Sequence, residues 1–445
     1  MNVQTKHYVK ELLNIALPII MGNLGFILIA AGDVLIAGRH STDTLAAISI
    51  AAAISNCIMT FGIGLIASVS PLLSNFRGAK KPAKRYLFPT IRFAMCLAAI
   101  TAAILLAFVP VIDLMGFEYK LVPDIKNYMM ITAFATFGGY LHAALKEYLQ
   151  AFEIVLFPNL LTIFCIFLNL ILNCIFVFGF GIIPSMGVTG LAIASFMVRY
   201  IMGFTLLVYC FKIMSCRNYH EKNYYKKLIQ IGLPISFAVL VEFIAFNSIA
   251  IFMGRVSGIY AAAQNLVCTL TTVSFMVPLA ISNAIAVKVG FANGAKQYID
   301  LKNYSQIGIL MSVGFMSCSA LIFCGFPEFL AGLFTKDTAL MEICIPILYI
   351  LALFQIFDGL QVALSGIYKG IKKTNIVLAA NILGYWIISV PLGYWLAFHK
   401  NYNLLGFWYG LFCAAVILCS FMLIMLFKYF AKLKTEFASA VSAAK

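Results

Sequence analysis

The chain alternates long apolar runs with short polar breaks. A helix that crosses a bilayer needs about 20 apolar residues. On that criterion the pattern predicts about twelve spans, at 12–38, 44–75, 88–114, 124–151, 156–181, 187–212, 227–255, 258–291, 304–334, 340–368, 374–399 and 404–433. Long uncharged runs are a helical pattern; a transmembrane barrel would show short segments of alternating polarity instead.

The pattern also repeats. Asn14-Ile15-Ala16-Leu17-Pro18-Ile19 returns as Gln230-Ile231-Gly232-Leu233-Pro234-Ile235, an offset of 216. At the same offset Gly38-Arg39 meets Gly254-Arg255, Leu45-Ala46-Ala47 meets Ala261-Ala262-Ala263, Gly78-Ala79-Lys80 meets Gly294-Ala295-Lys296, and Gly190 meets Gly406. An even number of spans separates the copies, so both face the same way and are related by an axis along the membrane normal. The expected fold is an all-α integral membrane protein of two pseudo-symmetric six-helix bundles around a central cavity. The lobes are 1–212 and 227–445, joined by a polar linker at 213–226. Transporters built from repeats place their substrate site at such an interface. A channel is the alternative, but no filter sequence or charged pore motif is present.

Composition agrees with this class. Hydrophobic residues make up 63% and charged ones 11%, against roughly 25% charged in soluble domains; the mean hydropathy is +0.99. A net charge of +15 would suggest nucleic acid in a soluble protein. Here the basic residues cluster in alternate loops, as in Arg77, Lys80, Lys81, Lys84 and Arg85 after the second span, and Lys226 and Lys227 before the seventh. By the positive-inside rule both termini are cytoplasmic. The chain is expected in the inner (plasma) membrane, as a monomer in the lipid bilayer with no nucleic-acid partner. The first apolar run exceeds a signal-peptide core and has a counterpart in the second half, so it belongs to the mature fold. The twelve cysteines form no C-x-x-C pair and read as small apolar residues.

Few acids lie deep in the spans. They are Asp33 in span 1, Glu242 in span 7 and Asp358 in span 10; Glu147 lies nearer a cytoplasmic end. A carboxylate at a membrane centre costs at least ~2.5–3.5 kcal/mol on insertion scales. The acids are not duplicated: Asp33 corresponds to Ile249, and Glu242 to Phe26. That pattern suits functional groups set into a symmetric frame. An ion pair with Arg199 in span 6 is the structural alternative. Asn169 and Asn173 in span 5 are spaced i, i+4 and share one helix face. With Asp33 they make a hard-oxygen set suited to a sodium ion or a shared proton. The bland alternative is interhelical hydrogen bonding, worth about 0.6–2 kcal/mol. Pro18, Pro234, Pro278 and Pro391 fall within spans and predict bends. Aromatic residues, 14% of the chain, line a cavity for bulky cations through cation–π contacts or face lipid. There is no Walker sequence and no nucleophile–base constellation, so neither direct ATP coupling, a cofactor nor enzymatic activity is expected. His142 alone among the five histidines lies well within a span, as a packed or cavity-lining residue.

Several stretches now carry a resemblance: LPI and GD in span 1, QAFEIVLFPN running into LNLILN and VFGFG, GVTGLAIAS in span 6, AAAQNLVCTLTTVSFMVPLAISNAIAVKVGFANGAK in span 8, and GYWIISVPLGYWLAF in span 11. They resemble the multidrug and toxin extrusion (MATE) family, particularly its NorM-like branch, over essentially the whole chain. The resemblance implies a secondary active antiporter that exports organic cations and drugs in exchange for sodium or protons. It implies an amino-lobe cation site of Asp33, Asn169 and Asn173, with Ser195 where the family often has Thr. It implies Glu242 and Asp358 as the carboxy-lobe acids, with Asp33, Glu242 and Asp358 also binding substrate. A branch with a second acid in span 5 has Asp where Asn173 stands; this departure weighs against that branch's proton-only mechanism. A lipid-linked oligosaccharide flippase of the same superfamily is the alternative, disfavoured by the acidic deep charges and kept open by Arg199.

Overall fold

A computed structural model describes residues 3–214 and 223–443, which are almost wholly helical. The first half contains α1 (Val3–His40), α2 (Thr42–Ile66), α3 (Val69–Gly78), α4 (Leu87–Phe108), α5 (Val122–Gln150), α6 (Leu156–Phe178) and α7 (Gly187–Ile213). The second contains α8 (Tyr224–Gly254), α9 (Gly258–Gly294), α10 (Tyr298–Gly325), the short α11 (Pro327–Gly332), α12 (Thr338–Gly370), α13 (Thr374–Asn381), α14 (Val390–His399) and α15 (Asn403–Ala443). Among the described residues, strand-like pairing is limited to one isolated bridge, Phe180 to Ile183.

Among the described residues, eleven helical stretches are long and apolar enough to cross a membrane. The remaining predicted span, 124–151, is the 29-residue α5; Lys126, His142, Lys146 and Glu147 interrupt its apolar run. The helices outrun the predicted limits. At 1.5 Å per residue the 38 residues of α1 reach about 57 Å, against a hydrocarbon core of about 30 Å. Of the predicted linker, residues 215–222 lie outside the described ones, and Tyr224 already begins α8. Apolar side chains such as Phe164, Phe167, Leu321 and Phe427 are exposed on the outer faces.

By mutual contacts the chain forms two compact units, Leu17–Ser236 and Met1–Ala16 with Phe237–Lys445. The first turns of α1 and α8 therefore each group with the other half of the sequence. In one unit the Tyr8 hydroxyl donates to Asp300 Oδ1 at 2.7 Å. In the other the Tyr224 hydroxyl bonds Thr90 Oγ1 at 2.7 Å. Tyr8 and Tyr224 are counterparts at the offset of 216.

The repeat extends to backbone detail. Ser41 and Ser257 precede α2 and α9 with the same φ of −164°. Lys80 and Lys296 both take the left-handed conformation at φ 56°. A Cβ on Gly190 would stand 2.5 Å from the Phe176 carbonyl oxygen, and one on Gly406 2.6 Å from the Ala397 nitrogen. Each glycine lets the last two spans of its half meet backbone to backbone.

The copies part where proline intervenes. A proline inside a helix lacks the N–H for the bond four residues back and crowds that carbonyl. Pro71 acts so on Ala67, where α2 ends and α3 begins; its counterpart Val287 lies inside the unbroken α9. Pro391 follows a π-helical stretch, Ile382–Ser389, that widens span 11. Of the four prolines expected to bend spans, Pro18, Pro234 and Pro278 lie within continuous helices. The irregular backbone falls instead at Pro391 and at Pro71, which the pattern alone had not singled out.

Candidate functional site

In the Leu17–Ser236 unit, α1 meets α6 closely beside Asp33. A Cβ on Gly32 would overlap the Leu170 side chain, so glycine there lets the helices approach. Asn173 Nδ2 donates to Asp33 Oδ1 at 2.5 Å and to Asn169 Oδ1 at 3.0 Å. Asn169 and Asn173 are fully buried. Two amide atoms of this trio, Asn173 Oδ1 and Asn169 Nδ2, are buried without a hydrogen-bond partner. A carboxylate and an unengaged amide oxygen on facing helices offer hard-oxygen ligands to a cation. Ser195 on α7 makes no hydrogen bond to the trio. Arg199, one turn further along α7, makes no ion pair with Asp33 among the described residues. Its Nη1 instead meets Met59 Sδ at 3.7 Å.

In the other unit, Glu242 on α8 sits among side chains that the sequence alone did not single out. Asn381 Nδ2 donates to Glu242 Oε2 at 3.3 Å and to the Ala238 carbonyl at 3.1 Å. Gln361 Nε2 donates to Asn381 Oδ1 at 3.4 Å and lies 3.2 Å from the Tyr385 hydroxyl. The Tyr385 hydroxyl donates to Gln361 Oε1 at 3.3 Å. Trp386 Nε1 donates to the Val241 carbonyl at 3.1 Å. Tyr385 and Trp386 both belong to the π-helical stretch, so the widened turn sends one donor to α12 and the next to α8. π-Helical turns concentrate at functional positions.

Asp358 on α12 is buried in the same unit and feels the charge of Glu242 without a direct bond to it. One turn before it, Gln355 is buried with neither amide atom hydrogen-bonded. The structure thus joins Asp33, Asn169 and Asn173 directly, and brings Glu242 and Asp358 within electrostatic range. It leaves Ser195 beside its site and adds Gln355, Gln361, Asn381 and Tyr385. An Asn or Gln within an apolar run was the signal available for three of these. Among the described residues no cluster of three or more His, Cys, Asp or Glu side chains could hold a metal ion.

Long apolar helices in a duplicated arrangement, with acids set inside them, define a multi-pass membrane transporter. The MatE family profile matches residues 18–175 and 234–395, two segments whose starts differ by the repeat offset. The chain belongs to this family of MATE/NorM multidrug efflux transporters. It is 26% identical to the probable multidrug resistance protein NorM of Bacillus subtilis, over 91% of this chain and 92% of that one. It is 27% identical to the protein of the same name from Mesorhizobium japonicum, over 93% and 92%. Among solved structures, a mutant form of the Vibrio cholerae MATE transporter VcmN superposes with a TM-score of 0.89 at 20% identity, covering 97% of this chain and 99% of that one. The eukaryotic MATE transporter AtDTX14 superposes with a TM-score of 0.85 at 18% identity, covering 97% and 99%.

Proposed function

We propose that the protein is a secondary active antiporter that exports organic cations in exchange for sodium or protons. It works as a monomer in the plasma membrane with both termini cytoplasmic. The observation that carries this reading is the state of Asp33. A carboxyl group inside a membrane helix is held by one amide, and the trio still has an amide oxygen to offer. A static ion pair would have used that capacity.

The coupling follows from charge. The inward-moving ion and the outgoing cation compete for the same carboxyl groups. Exchange results when the two ligands stabilise different facing states, since a ligand with equal affinity for both shifts nothing. Sodium or a proton is cargo here, not a resident cofactor.

The test is ethidium efflux from proteoliposomes under an imposed sodium gradient and then an imposed proton gradient. Efflux driven by one gradient and lost in Asp33→Asn is expected, and names the ion. Normal export by Asp33→Asn would remove Asp33 from the mechanism. Unchanged ion dependence in both Glu242→Gln and Asp358→Asn would remove the second pair.

A further inference from the structure

The side of α6 that meets α1 is polar along most of its length. Asn159, Thr162, Asn169 and Asn173 recur at helical spacing and are all buried, with Ile166 in the middle of the run. Opposite them α1 carries glycine. A Cβ on Gly22 would overlap the side-chain carbonyl of Asn159, and one on Gly32 would overlap Leu170. One on Gly25 would stand 2.8 Å from Ile166 Cδ1 and 3.6 Å from Thr162 Cγ2. From Gly22 to Asp33, therefore, a single layer of α6 side chains separates the two helices. The repeat does not require this seam, since the counterparts of the three glycines are Ala238, Val241 and Ser248.

Buried amides and hydroxyls between membrane helices ordinarily bond across the interface. Here most do not. Asn159 Nδ2 donates to the Val155 carbonyl at 2.6 Å, and Thr162 Oγ1 to the Pro158 carbonyl at 3.0 Å, both within the chain leading into α6. Among the described residues Asn173 is the one of the four that bonds to α1, at Asp33. The unengaged atoms fall at the two ends of the seam. At one end they are Asn159 Oδ1 and, beside Gly22, Asn23 Nδ2; at the other they are Asn173 Oδ1 and Asn169 Nδ2. Each end thus offers an acceptor and a donor. That suits water, which donates and accepts, better than a bare cation, which takes oxygen ligands alone. Asn159 lies one turn inside the start of α6, and Asp33 keeps some exposed surface of its own.

Between its ends the seam is closed. The rise along α6 from Thr162 to Asn169 is about 10.5 Å at 1.5 Å per residue. One water bridging two polar atoms spans only about 5.6 Å, two bonds of about 2.8 Å. Ile166 fills this gap against Gly25. We propose that the α1–α6 seam is a water-lined proton path between Asp33 and the end of the unit where α6 begins, with Ile166 as its plug. The inference rests on the exchange reading above and specifies how protons reach Asp33; on the topology proposed there, they do so from the cytoplasm. A proton leaves the Asp33 carboxyl group, which becomes a carboxylate, and passes from water to water. The amides hold the waters and neither gain nor lose a proton. Sodium would need a different route.

The test is proton leak into proteoliposomes of the purified full-length protein, read by trapped pyranine after an imposed pH step with no drug present. The unaltered protein is expected to leak no faster than empty liposomes. Ile166→Thr places a hydroxyl within the gap and should raise the leak several-fold. Adding Asn159→Leu, which keeps the bulk and removes the amide, should return it to background. Sodium leak in the same liposomes should stay at background throughout. No proton leak in folded Ile166→Thr, a leak that survives Asn159→Leu, or a sodium leak of equal size would each overturn the proposal. If Ile166→Thr does not fold, Asn159→Leu alone is read by ethidium-driven proton release. That release should slow several-fold at unchanged ethidium affinity and recover in Asn159→Ser; an unchanged rate would overturn the path. Ethidium efflux by the unaltered protein separates the two readings. The expected leaks without efflux under either gradient would overturn the exchange reading and leave the path standing. Gradient-driven efflux with no leak in folded Ile166→Thr would do the reverse.

Discussion

The two acid sites follow one plan at two different positions along their helices. In each half the acid sits on the first helix and an asparagine of the fifth span donates to it: Asn173 to Asp33, and Asn381 to Glu242. Referred to the repeat, Glu242 corresponds to Phe26 and Asn381 to Cys165. Acid and amide have moved together by about two helical turns, toward the starts of both helices. Acids repeated at identical positions would be explained by ancestry. A pair that moves in concert keeps the contact while changing its place, which indicates that the acid–amide contact is what each half requires.

The sites differ in how firmly the acid is held. Asp33 has one donor, and its trio includes two unpartnered amide atoms. Glu242 also has one side-chain donor, Asn381, but that donor is tied through Gln361 to Tyr385. At the first site the amides around the donor are left partly unengaged; at the second the donor belongs to a network that includes Tyr385 of the π-helical turn.

The largest break in this contrast is expected from Asp33→Asn. Ethidium efflux should fall to the rate of empty liposomes while the protein still inserts and elutes as a single species. Any residual coupled flux above about a tenth would shift weight to the Glu242 site. Next come the amides. Asn173→Ala strips Asp33 of its donor, at about 1.5–3 kcal/mol for a hydrogen bond to a charged group, removes the unengaged amide oxygen, and should lower the apparent affinity for sodium by tenfold or more. Asn381→Ala removes a longer bond, 3.3 Å against 2.5 Å, and should cost less. Equal effects, read from the ion dependence of efflux, would show that the sites are held alike.

Two smaller tests address the frame. Gly190→Val and Gly406→Val force a side chain against backbone at counterpart positions and should each destabilise by about 1–3 kcal/mol. Similar falls in thermal unfolding midpoint are expected; a large inequality would mean the two helix pairs are not equivalent in energy. The smallest concerns the helix caps. Ser41 accepts a hydrogen bond from the Thr44 N–H at 3.0 Å, while Ser257 makes no side-chain cap bond. Ser41→Ala should cost about 1 kcal/mol, and Ser257→Ala only a few tenths.

Much of this was legible from the chain. Apolar run length determines helical spans because the bilayer offers no other partner for backbone N–H and C=O groups. The offset of 216 marked the duplication, and it returns in the paired φ values of Lys80 and Lys296. Asp33 and the asparagines of span 5 were visible because polar groups are costly in lipid and so rarely occur without a partner or a task. The i, i+4 spacing of Asn169 and Asn173 by itself puts them on one helix face.

What the sequence by itself determined is therefore what depends on one helix at a time: its span, its amphipathic face, and the presence of a group too polar for its surroundings. The tertiary structure decided everything that depends on which helices meet. It brought Asn381 to Glu242 and tied Gln361 and Tyr385 to that amide, although all three lie more than a hundred residues further along the chain. It set the widened turn at Ile382–Ser389, where Pro391 and the contacts to α8 act together. It paired Asp33 with an amide and left Arg199 against a thioether, a choice between partners that neither residue's own helix could make. The physical reason is that a hydrogen bond or ion pair is settled within about 3–4 Å, while periodicity along one helix says nothing about which neighbour comes that close.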